Sequence, residues 1–131
     1  MTQLEYARQD ILTDEMKQVA AAENIAAQEL LQAVKDGVVV IPKNVNHKFK
    51  TVGIGRGLTT KINANIGTSR DCQNIDYELK KLEIAEKYGA NAIMDLSTGG
   101  DLDKIRKLVI EKSSICVGTV PIYEMAVIAL E

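Results

Sequence analysis

The sequence predicts an α/β fold: a helical N-terminal segment over residues 1–58, then the first three βα units of an incomplete parallel (β/α) barrel over residues 59–131. Three observations predict it. Apolar residues before residue 37 recur at helical spacing, whereas beyond residue 60 short β-prone runs alternate with amphipathic helices. The order β-α-β-α-β-α implies a parallel sheet with right-handed crossovers. Asn65, Met94 and Tyr123 recur 29 residues apart, each at the end of a predicted strand. That interval is one βα unit, and in a parallel barrel successive strand ends face one cavity. The three side chains are therefore expected to converge on one ligand.

Thr13 reads as an N-cap, with Asp14 and Glu15 in the first turn, where the helix dipole favours negative charge. Met16, Val19 and Ala20 form its apolar stripe, and Asn24 is a stop. A second helix covers residues 26–36, with Leu30, Leu31 and Val34 on one face and Gly37 just past its end. Val38 to Ile41, closed by Pro42, suits a short edge strand. Residues 43–58 carry no periodicity. Gly53, Gly55 and Gly57 miss the third glycine of a dinucleotide fingerprint, so this stretch reads as a flexible connection.

KINANI (61–66) is the first strand of the second half, and Gly67 to Ser69 a turn. A helix over 76–88 turns Leu79, Leu82, Ile84 and Ala85 inward and closes at Gly89. Residues 92–96 form the next strand and 97–100 a turn. Asp101 caps a helix to Lys112 whose apolar positions are Leu102, Ile105, Leu108 and Val109. Residues 116–120 form the third strand, and 123–131 begin another helix. The strands are short and almost wholly apolar or small, as strands covered on both faces are.

Composition narrows the function. The chain has 131 residues, 46 % hydrophobic, which suits one globular domain with a real core. Net charge is −2, which argues against nucleic acid as a partner. No apolar run nears the roughly 18 residues of a membrane span. The first ten residues lack the apolar core of a secretory signal, so a cytoplasmic location is expected. Cys72 and Cys116, 44 residues apart, are read as reduced, inert thiols, too few for a structural zinc or iron–sulfur site. His47 is the only histidine, which leaves no His–His metal pair. Beside Asn44 and Asn46 it reads as a residue that fixes a loop.

Each candidate site residue has a plain alternative. Asn65 has an amide that both donates and accepts, suited to an imidazole or carboxamide edge, or else it satisfies turn backbone. Met94, on spacing alone, reads as core filler. Tyr123 follows Pro121 and offers a hydroxyl for a phosphate and a ring for a heterocycle, or it is a rim aromatic at a helix start. Asp95 should point away from Met94, toward a structural hydrogen bond. Thr119 is left unassigned.

At KINANIGTS, GANAIMDLSTGGDL and VGTVPIYE the chain resembles the phosphomethylpyrimidine synthase (ThiC) family of thiamine biosynthesis. TQLEYARQDILTDEM and VVIPKNVNH resemble the N-terminal region of the same family. The resemblance implies the N-terminal portion of a radical S-adenosylmethionine enzyme with a barrel core. Such enzymes rearrange aminoimidazole ribotide to hydroxymethylpyrimidine phosphate, using S-adenosylmethionine, a [4Fe–4S] cluster and a zinc-type metal ion. It carries substrate-binding roles to Asn65, Met94 and Tyr123 and favours ligand contact for Met94. The family's three-cysteine cluster motif and its metal-site histidines have no counterpart here. No catalytic residue and no metal ligand is therefore assigned, and the chain alone is expected to be inactive.

Three strands cannot close a barrel, which needs about eight. Open edges invite pairing, so self-association, or a second chain that completes the barrel, is expected. A cooperative, stable monomer would instead indicate a self-contained α/β sandwich. The alternative function is a non-catalytic binding or regulatory module for a phosphorylated imidazole or pyrimidine.

Overall fold

Caps written into the sequence set where the first helices begin. The structure, a computed structural model, describes residues 1–130, the side chain of Leu130 excepted. The chain divides into two units, one of Met1–Val45 with Thr51–Thr60, the other of Asn46–Lys50 with Lys61 onward.

In the first unit, Thr2 and Glu5 exchange side-chain-to-backbone hydrogen bonds and open α1 (Gln3–Arg8). The sequence reading assigns no helix here, since six residues are too few to show a period. Thr13 Oγ1 accepts from the Met16 N–H at 3.2 Å and opens α2 (Asp14–Glu23), which ends at Asn24 in the left-handed region. Helix α3 (Ala27–Lys35) buries Leu30, Leu31 and Val34 against Met16, Val19 and Ala20. The expected edge strand shrinks to β1 (Val39–Val40), paired antiparallel with β2 (Ile54–Gly55). Strand β2 corrects the flexible-connection reading. Its Gly55 sits at φ 151°, and a Cβ there would lie 2.2 Å from the Val38 carbonyl oxygen. The close approach of two backbones, not a phosphate, requires this glycine.

The second unit follows the predicted βα order. It contains β3 (Asn63–Ile66), α4 (Ile75–Lys87), β4 (Ala92–Asp95), α5 (Leu102–Lys112), β5 (Cys116–Thr119) and α6 (Pro121–Leu130). The strands form a parallel sheet in the order β3-β4-β5. This is an open three-stranded sheet, and no closed barrel exists among the described residues. Ile66, Ile93 and Ile115 meet Leu82 of α4 and Ile105 and Val109 of α5 in one apolar core. Ile84 departs from expectation and is 46 % exposed, and Glu78, which carries no apolar signal, is buried. Leu79, Leu82 and Ala85 still face the core, and in the first turns of α4 the buried Glu78 carboxylate accepts the Gly67 N–H and pairs with the partly exposed Lys81. The last helix starts at Pro121, earlier than Tyr123, and its predicted end at Glu131 lies outside the described residues.

Residues 46–50 pack with this second unit. Lys50 N–H donates to the Ser114 carbonyl at 3.0 Å. His47 is buried, its Nε2 lies 2.8 Å from the Ser113 carbonyl oxygen, and its ring centre is 5.0 Å from that of Phe49. A carbonyl only accepts, so Nε2 carries the proton. His47 therefore fixes a loop, as the sequence reading expects.

Candidate functional site

Side chains alternate across a strand, so the pleat sorts the sheet into two faces. Ile66, Ile93 and Asp95 are buried on the face that carries α4 and α5. Asn63 and Asn65 are exposed on the other face, and Met94 shares it. The parallel register places Asn65 opposite Met94, and Met94 opposite Gly118. A Cβ at Gly118 would lie 3.1 Å from Met94 Cε and 3.2 Å from its Sδ. The Met94 thioether thus lies across the bare backbone of β5, beside Asn65. Asn63 Nδ2–H donates to Asn65 Oδ1 at 3.2 Å, which occupies the acceptor side of the Asn65 amide.

Tyr123 is placed differently from the sequence expectation. It is not at a strand end. Strand β5 closes at Thr119, and Tyr123 stands in the first turn of α6, its N–H donating to the Val120 carbonyl at 3.0 Å. The two 29-residue intervals are physically unlike. The first is a true register offset, because Asn65 pairs with Met94. The second is not, because Met94 pairs with Gly118, five residues before Tyr123. Pro121, with its φ already suited to a first helical turn, starts α6 early. Tyr123 is 45 % exposed and lines an open groove of about 250 Å³ with Arg70, Thr98, Ala126 and Val127.

Sequence reasoning does not find Arg70 or Thr98. One signal was available: the same 29-residue offset pairs Thr68 with Ser97, whose Oγ accepts the Thr68 N–H at 3.1 Å. The repeat thus runs on from the strands into the loops. Thr98 N–H donates to the Thr68 carbonyl at 2.9 Å, and Thr68 Oγ1–H to the Gly99 carbonyl at 2.7 Å. These bonds fasten the loops after β3 and β4 to each other. Asp95 takes the structural role expected of it. Its Oδ1 accepts from the Ser97 N–H at 3.0 Å and from Ser97 Oγ–H at 2.5 Å. Thr119, opposite Asp95 in the register, lines a small polar cavity with Asp95, Arg106 and Glu124.

Both cysteines are free. Cys72 is exposed after β3, and Cys116 is half-buried on β5, where burial pushes its thiol pKa up. Among the described residues, no three His, Cys, Asp or Glu side chains come together as metal ligands. The donors among the described residues therefore do not fit an iron–sulfur cluster or a zinc-type ion. No helix among the described residues is long and apolar enough to cross a membrane.

The profile of the radical SAM ThiC family matches residues 2–131. A phosphomethylpyrimidine synthase of Thermodesulfovibrio yellowstonii is 54 % identical over 131 residues, all of this chain and 31 % of the relative. That of Methanocaldococcus jannaschii is likewise 54 % identical over 131 residues, again 31 % of its length. That of Methanococcus aeolicus is 52 % identical over 127 residues, 97 % of this chain and 30 % of the relative. The chain thus spans under a third of the length of the curated relatives it matches.

Proposed function

The chain belongs to the radical SAM ThiC family, and from that premise we propose that it is the N-terminal part of a phosphomethylpyrimidine synthase-like enzyme of thiamine biosynthesis. The whole enzyme converts aminoimidazole ribotide to hydroxymethylpyrimidine phosphate. In this reading the chain holds part of the substrate site and does not catalyse the reaction alone. The observation that carries it is the register pair of Asn65 and Met94 on the sheet face opposite the one packed by α4 and α5. A polar amide and a soft thioether, side by side there, suit an imidazole ring and its substituents. Tyr123 contributes from the first turn of α6, with a phenolic hydroxyl and ring at the groove shared with Arg70 and Thr98.

Parallel sheets are normally covered on both faces. The exposed asparagines of β3 and the exposed Ile122, Met125 and Ile128 of α6 therefore favour further strands of a (β/α) barrel, or a second copy, packing here. S-adenosylmethionine and a [4Fe–4S] cluster supply the radical chemistry of this family. The cluster and a zinc-type ion would be held outside this chain, since the donors among its described residues do not fit them. A cytoplasmic setting belongs to the same proposal and agrees with two free thiols.

Calorimetric titration with aminoimidazole ribotide tests the reading. Saturable heat that is weakened by Asn65→Ala and by Met94→Ala supports it. A folded chain that takes up no ribotide removes the substrate-site claim. Ribotide bound equally well by both variants would point to a different binding surface.

A further inference from the structure

Helix α6 carries Tyr123 but has little to hold it. Only Glu124 and Val127 among the described side chains of α6 are even partly buried, and Ile122, Met125 and Ile128 are each about two-thirds exposed. One side-chain tether stands out. Arg106 of α5 directs Nη2 to Oε2 of Glu124 while its Nη1 donates to Asp103 Oδ1 at 3.2 Å. Both partners are about 30 % exposed, 32 % for Arg106 and 29 % for Glu124. Behind them lies a cavity of about 20 Å³, lined also by Asp95, Thr119 and Pro121, with room for about one water. The pair therefore sits at the join of β5 and α6, sheltered from bulk screening more than a surface pair is.

Neighbouring residues on a helix point about 100° apart. Fixing Glu124 toward α5 consequently fixes Tyr123 toward the groove it shares with Arg70 and Thr98. We infer that Arg106 and Glu124 are positioning residues, whose ion pair sets the angle of the first turn of α6 and so presents Tyr123 to the ligand. The inference rests on the reading of Tyr123 as a ligand contact. A planar guanidinium bridging Asp103 and Glu124 suits this task, because its fork fixes direction as well as distance.

Two measurements test it. Amide hydrogen exchange compares wild type with Glu124→Gln and Arg106→Gln. Protection over residues 123–127 should fall about fivefold while α4 and the sheet are unchanged, the scale of a partly sheltered ion pair. Unaltered exchange in α6 would overturn the tether whatever the ligand does. Ribotide titration then uses wild type, Glu124→Gln, Tyr123→Ala and the double variant. Glu124→Gln should weaken binding about fivefold on its own and add nothing in the Tyr123→Ala background. Weakening that persists without Tyr123, or that never occurs, overturns the positioning role. If wild type binds no ribotide, the substrate-site reading fails, and the exchange experiment alone decides the tether.

Discussion

Glu78, buried in α4, accepts the Gly67 N–H at 2.6 Å and ties the helix to the turn that ends β3. Its same oxygen pairs with Lys81 Nζ at 2.7 Å, so the buried carboxylate is both hydrogen-bonded and charge-compensated. The contact lies two residues from Asn65. Glu78→Ala would leave the Gly67 N–H without its partner, at a cost of about 1–3 kcal/mol. Urea unfolding should register that loss, and Glu78→Gln, which keeps an acceptor, should lose less. Equal stability of all three proteins would show that the turn finds another partner.

Gly118 leaves the space that Met94 occupies. A Cβ there would press on the Sδ and Cε atoms at 3.2 and 3.1 Å, the flexible end of an unbranched side chain. Met94 can swing aside, so Gly118→Ala should cost less than about 1.5 kcal/mol. Its effect should fall on the site instead. The Met94 methyl resonance should shift, and ribotide affinity should drop more than the unfolding midpoint does. A large loss of stability with the methyl signal unmoved would contradict this packing.

The two thiols should differ in reactivity. Cys116 is half-buried and its pKa is raised by burial, which lowers its thiolate fraction at neutral pH. Cys72 is exposed in the loop after β3. Iodoacetamide at pH 7.5, followed by peptide mass spectrometry, should label Cys72 well before Cys116. The gap should narrow as pH rises, because more Cys116 then ionises. Faster labelling of Cys116 would mean that the sheet face opens in solution.

Helix caps and strand cores were legible in the sequence because their causes are local. Thr13 and Asp101 announce their helices through side-chain chemistry that acts within one turn. The Asn65–Met94 pair was legible too, because one βα unit of 29 residues coincides with the register. Tyr123 shows where counting fails. Met94 meets Gly118 after only 24 positions, so a matching interval along the chain need not be a matching place in the sheet. Strand β2 and the docking of residues 46–50 depend on distant backbone partners, Val39 and Ser114, that leave no periodic trace. The burial of Glu78 was hidden for a similar reason: its partner is a backbone N–H, and sequence patterns register side chains.

Acid should weaken the first unit through Glu15. Lys43 Nζ lies 2.8 Å from Glu15 Oε1, and that bond, foremost, holds the carboxyl below the ordinary glutamate range. A carboxylate depressed in the folded state contributes its full stabilisation above the unfolded pKa, about 4.3. As pH falls below that value the unfolded chain takes up the proton first, so stability declines. The contribution is gone once pH passes beneath the folded pKa. Lys43→Met should therefore be less stable than wild type by a constant amount from about pH 5 upward. The difference should shrink as pH drops below about 4.3. Amide exchange in α2, or urea unfolding at a series of pH values, reads this directly. A difference that stayed constant down to the lowest pH would mean that Lys43 stabilises the unit through packing of its alkyl chain and not through its charge.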